Sequence, residues 1–133
     1  MKDQNIVRIN KERIAGYGEV KLILYEERPA VVVESPYAGE IEDNIKYAQE
    51  CITDCFARGE APFASHLIYP QVLKDADPKH RTLGITAGFI IGKGCDKTVV
   101  YIDRGVTLGM VQGMLEALDC GRTIEIRSLR NKS

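Results

Sequence analysis

The residues best suited to chemistry gather at the ends of apolar runs. In "VVVESPYAG" (Val31–Gly39) three β-branched residues lead straight into Glu34, Ser35 and Tyr37. In "APFASHLIYP" (Ala61–Pro70) an apolar run delivers Ser65, His66 and Tyr69. In "KTVVYIDRGVT" (Lys97–Thr107) another ends in Asp103, Gly105 and Thr107. Carboxylates such as Glu34 and Asp103 accept hydrogen bonds from vicinal sugar hydroxyls and serve in acid–base or nucleophilic catalysis. Tyr37 offers a flat face to a base and a hydroxyl beside it. Glycine-opened helix starts favour an anion such as phosphate.

The elements that must carry these groups are legible in the periodicity. Ala30–Val33 is a continuous apolar run, as expected of a strand covered on both faces. Ile41–Arg58 follows with a helical stripe of Ile41, Ile45, Ala48, Ile52, Cys55 and Phe56, closed by Gly59. Asp77 before Pro78 signals the start of a helix running to about Gly92, with Leu83, Ala87, Ile90 and Ile91 expected inward. Gly84 and Gly88 share one face of it and permit close approach. Thr107 caps a further helix over Leu108–Cys120, where Gly109 and Gly113 recur four apart, and "TIEIR" (Thr123–Arg127) alternates as an edge strand.

Strands alternating with helices predict an α/β fold, a Rossmann-like three-layer sandwich with a mostly parallel sheet and right-handed crossovers. Before it, "NIVRI" and "EVKLILYEE" alternate on either side of "AGYG", which predicts an N-terminal β-hairpin over residues 1–28 covering a sheet edge, with the α/β domain spanning 29–133. In open parallel sheets ligands bind beyond the carboxyl ends of the strands, so the three polar loops should share one edge. Stability does not require a carboxylate at two adjacent strand ends.

Composition narrows the partners. The 133 residues suit one domain, and 18 basic against 19 acidic residues leave a formal charge of -1, with no electrostatic case for nucleic acid. No apolar run approaches the roughly 18 residues of a membrane helix, and the polar N-terminus lacks a signal-peptide core, so a cytoplasmic protein is expected. Cys51, Cys55, Cys95 and Cys120 form no C-x-x-C pair, and with His66 and His80 they match no common zinc spacing; buried free thiols are the expectation and no metal is assigned. Neither G-x-G-x-x-G, nor a P-loop, nor a G-x-S-x-G elbow occurs, and no cofactor is expected.

From Ala30 to Leu129, the segments "VVVESPYAGEIEDNIKYAQECITDCFARGEAPFASHLIYP" and "VVYIDRGVTLGMVQGMLEALDCGRTIEIRSL" resemble the nucleoside 2-deoxyribosyltransferase-like superfamily, above all its small bacterial and phage members. The matching features are a strand with a Tyr-containing loop, Asn44 in the next helix, and an Asp-x-Gly at a later strand end. The resemblance implies an oligomeric Rossmann-like protein that cleaves or exchanges the N-glycosidic bond of a nucleoside or nucleotide, with Asp103 positioning the substrate. It also implies a glutamate nucleophile in the following helix, where this sequence has Gly109 and Met110 instead. Glu34, from the neighbouring loop, is the carboxylate available to substitute.

The resulting expectation makes Glu34 and Asp103 catalytic. Ser35, Tyr37, Gly39, Asn44, His66, Arg81, Gly105, Thr107, Gly109 and Met110 would bind substrate; in a phosphate-binding site without chemistry, Arg81 and Arg104 would supply counter-charge. The missing helix glutamate keeps two alternatives open: a non-catalytic protein that senses or sequesters a nucleotide-derived molecule, and an interaction domain with a vestigial pocket.

Overall fold

In the computed structural model, residues 8–19 and 21–130 are described. Four strands, β1 (Ala30–Glu34), β2 (Ala61–Phe63), β3 (Lys97–Tyr101) and β4 (Thr123–Arg127), form one parallel sheet in the order β2-β1-β3-β4. Register brings Val33 opposite Val99 and Glu34 opposite Val100. The crossovers are α2 (Ile41–Ala57), α3 (Pro78–Gly92) and α4 (Leu108–Asp119). The α/β prediction therefore holds.

Side-chain alternation along β1 divides its two faces. Val31 and Val33 join Val99 and Tyr101 against Tyr47, Cys51 and Cys55 of α2, forming the main core. Each fully buried valine contributes about 1.5–3 kcal/mol through removal from water. Val32 and Glu34 point the other way, toward α3 and α4: a Cβ on Gly92 would meet Val32 Cγ2 at 3.2 Å. Beyond the core a buried ion pair locks β4, with Arg127 Nη1 and Nη2 donating to Glu60 Oε1 and Oε2 at 2.8 and 2.6 Å. Lys97 adds a second cation to Glu60 at 3.2 Å, and Glu125 a second carboxylate to Arg127, so the pair belongs to a small charged network.

Two expectations are corrected. Among the described residues there is no N-terminal hairpin; part of its first strand (residues 5–7) and Val20 lie outside them. Lys11–Ala15 instead forms a short helix, α1, whose cap Asn10 Oδ1 accepts from the Arg13 amide at 3.0 Å. The alternating residues Leu22 and Leu24 are exposed and join no strand, since alternation alone supplies neither a pairing partner nor a surface to cover. The second correction concerns α3, which turns its glycines inward. Gly88 and Gly92 are buried, while Leu83, Ile90 and Ile91 are exposed. The glycine face allows the helix backbone to approach Ser65 and Val32 more closely than an isoleucine face could.

The cysteine reading holds for Cys51 and Cys55, which are free and buried. Burial pushes the Cys51 thiol up to about 12. Cys95 is only partly covered and Cys120 is exposed.

Candidate functional site

The chain leaves β1 for β2 on one side and later returns through β3 on the other, so the carboxyl end of β1 is the switch point where parallel sheets bind ligands. A cavity of about 380 Å³ opens there, within the roughly 300–1,000 Å³ of small-molecule sites. Val32, Phe63, Leu73, Ile85 and Phe89 give it apolar walls, and the polar groups converge from β1, from the loop after β2, and from α3 and α4.

Glu34 is the central group. It ends β1 on the face toward α4, and its carboxyl lies against Gly113 in the middle of that helix. A Cβ built on Gly113 would fall 2.0 Å from Oε2, 2.5 Å from Cδ and 2.9 Å from Oε1. Glycine at 113 is therefore what gives the carboxyl its seat. Burial pushes the Glu34 carboxyl up to about 8; the positive field of Arg122 opposes this and the nearby Glu116 adds to it. The Arg122 guanidinium is committed elsewhere, donating to Thr98 Oγ1 at 2.8 Å, the Gly92 carbonyl at 3.0 Å and Glu116 Oε1 at 3.1 Å. Near neutral pH Glu34 is thus a neutral acid facing the cavity.

Beside it, Ser35 Oγ lies 2.7 Å from His66 Nε2, and both residues line the cavity. Ser35 is buried. Burial pushes the His66 imidazole down to about 4, so the ring is neutral over the physiological range. The short helical turn Ser65–Leu67 after β2 carries His66, and Gly88 of α3 permits the approach: a Cβ there would meet Ser65 Oγ at 2.9 Å. Nearer α3, Tyr69, Asp75, His80 and Arg81 also line the cavity, with His80 Nδ1 accepting from the Lys74 amide at 2.9 Å.

Of the residues the sequence singled out, Glu34, Ser35, Tyr37, His66, Arg81, Thr107, Gly109 and Met110 line one cavity. Asp103, Gly39, Asn44 and Gly105 do not. Asp103 is engaged in tying β3 to the segment after β4. Its carboxylate accepts from the Ser128 hydroxyl at 2.5 Å, the Tyr47 hydroxyl at 2.6 Å and the Leu129 amide at 2.9 Å. Burial alone would raise its pKa, but these hydrogen bonds hold it far below the usual carboxylate range. Asn44 Nδ2 donates to the Tyr37 and Ala38 carbonyls at 3.0 and 3.1 Å and its Oδ1 accepts from Arg104 Nε at 2.8 Å, so both side chains shape the Tyr37 loop. Gly39 and Gly105 take φ of +97° and +89°, which suits glycine in the turns that follow β1 and β3.

Sequence reasoning missed two contributors. Arg122 carried no stronger signal than a basic residue after a glycine. Gly113 was visible in the Gly109–Gly113 spacing, but its role as the seat of Glu34 depends on contact across the sheet face.

No curated protein matches the chain. Among solved structures it is similar to the 2-deoxyribosyltransferase of the psychrotolerant bacterium Bacillus psychrosaccharolyticus, with TM-score 0.55, 17% identity, and coverage of 74% of this chain and 72% of that one. It is also similar to the CMP N-glycosidase BcmB of Clostridium botulinum, with TM-score 0.44, 17% identity, and coverage of 74% and 68%. At 17% identity the first likeness is one of fold: a four-stranded parallel sheet flanked by helices. Residues 29–127 match the family described as "Domain of unknown function (DUF7768)", and the chain belongs to that family.

Proposed function

We infer that the protein cleaves the N-glycosidic bond of a nucleoside or nucleotide, with Glu34 as the acid that protonates the departing base. The observation that carries this reading is the Glu34 carboxyl, seated on Gly113 at the switch point and kept protonated near neutral pH by burial. A buried carboxyl with a raised pKa is the form in which a glutamate donates a proton at pH 7. The fold shared with a 2-deoxyribosyltransferase supports the substrate class. The helix glutamate implied by the resemblance is absent at Gly109 and Met110, and Glu34 brings a carboxyl to the same helix from β1.

Tyr37 and the apolar wall of Phe63 and Phe89 offer faces for the base, while Thr107 and Ser65 offer hydroxyls to the sugar. Asp103 has no part in the reaction on this reading. The test is incubation of the purified protein with purine and pyrimidine ribo- and deoxyribonucleosides and their 5′-monophosphates, followed by chromatography for free base. Release of base from at least one substrate class is expected; none across the panel would contradict the reading.

A further inference from the structure

Resting on that reading, we propose that Ser35 and His66 form the base that activates water, so that the enzyme is a direct-displacement hydrolase and not a glycosyl transferase. Ser35 Oγ lies 2.7 Å from His66 Nε2, and both residues line the cavity that holds the Glu34 carboxyl. Ser35 follows Glu34 directly in sequence, so the end of one strand presents the acid and the start of the base relay. With the ring proton on Nδ1, Nε2 presents its lone pair to the serine hydroxyl.

The protonation states of the two groups are complementary. Glu34 is held neutral and able to donate, whereas His66 is held neutral and able to accept. Two titratable groups pushed in opposite directions by their surroundings mark an acid and a base. A covalent mechanism would instead need an ionised carboxylate at the anomeric carbon, which Glu34 in its resting state is not.

A water bound to Ser35 gives a proton to Oγ as the serine hydroxyl proton passes to His66 Nε2, and the water oxygen bonds to the anomeric carbon. The C–N bond breaks, its electron pair going to the base nitrogen, which takes the proton of Glu34. Free base and free sugar result, leaving Glu34 ionised and His66 protonated. Transfer of that proton from His66 back to Glu34 through solvent restores the resting enzyme. No glycosyl–enzyme bond forms, so no second base can capture the sugar.

The test uses the wild-type protein with whichever nucleoside or nucleotide of the panel it hydrolyses. Proton NMR at early times, before mutarotation, should show the α-anomer first from a β-nucleoside, and a second, isotopically labelled base should not be incorporated. Retention of configuration, or incorporation of the labelled base, would overturn the inference while leaving glycosidic cleavage intact. Absence of turnover would overturn both. His66→Gln keeps an acceptor for Ser35 without the basicity; with Ser35→Ala it should lower kcat by about 10²–10⁴-fold with KM within about threefold. Variants that fold and turn over within about threefold of wild type would sink the proposal. Should neither variant fold, the stereochemical result on the wild-type protein decides alone.

Discussion

The carboxyl of Glu34 and the backbone of Gly113 occupy adjoining space: a methyl group on residue 113 would sit 2.0 Å from Glu34 Oε2. A strand residue thus supplies the carboxyl, and a helix residue, by having no side chain, provides its room. The group in conflict is the far end of a side chain, so substitution at 113 moves the carboxyl without breaking the backbone.

Gly113→Ala therefore separates fold from function. Alanine is favoured over glycine inside a helix by about 1 kcal/mol, which offsets the cost of displacing the carboxyl. Urea unfolding should show stability changed by less than about 1 kcal/mol, while base release drops at least about tenfold as the acid is pushed off its seat. Unchanged turnover would mean that the position of Glu34 does not matter to the reaction.

The pH dependence of kcat/KM should be bell-shaped. The limbs should lie near 4, where His66 protonates, and near 8, where Glu34 ionises. Other titratable or charged groups lining the same cavity are Asp75, His80 and Arg81 toward α3 and Arg122 before β4. His66→Gln should remove the acid limb in whatever activity remains. A rate that rises through pH 8 would identify ionised Glu34 as the active form and contradict the acid role.

Glu34 should also cost stability as pH rises. Its folded pKa, about 8, lies above the ordinary 4.5, so the folded state holds a proton that the unfolded state has released between those values. Stability is then full below about 4.5 and declines as pH rises toward 8. Glu34→Gln lacks this dependence. Paired thermal melts at pH 5 and pH 8.5 should show the variant gaining on wild type at the higher pH; equal differences at both would mean the carboxyl is not held protonated.

Asp103→Ala addresses the opposite case. With the hydrogen bonds of Ser128, Tyr47 and the Leu129 amide to this carboxylate removed, the variant should lose about 1–3 kcal/mol in urea unfolding, with kcat and KM within about threefold of wild type below its melting range. A selective loss of kcat in a stable variant would return Asp103 to the catalytic machinery.

Much of the sheet was legible from local pattern. Val31–Val33 and "KTVVY" have the unbroken apolar character of doubly covered strands, and Asp77–Pro78 and Thr107 signal helix starts that are present. That Glu34 would line the cavity was legible because topology sends a strand end to that edge. Asp103 also follows a strand end but lies outside the cavity lining, hydrogen-bonded to Tyr47, Ser128 and Leu129, partners remote in sequence that no spacing announces. The inner face of α3 was misread for a related reason: Ile90 and Ile91 looked like core, but it is Gly88 and Gly92 that come close to Ser65 and Val32. The alternation of Leu22 and Leu24 resembled a strand because the pattern carries no information about whether a partner exists.

The central claim is that Glu34 supplies the proton to the leaving base, and the most direct measurement is base release by Glu34→Gln at pH 6 with substrate binding followed in parallel. Glutamine fills the same seat on Gly113 without a dissociable proton. The account predicts turnover reduced by about 10²–10⁴-fold with Kd within about threefold of wild type. Turnover within about threefold of wild type in the folded variant would contradict it.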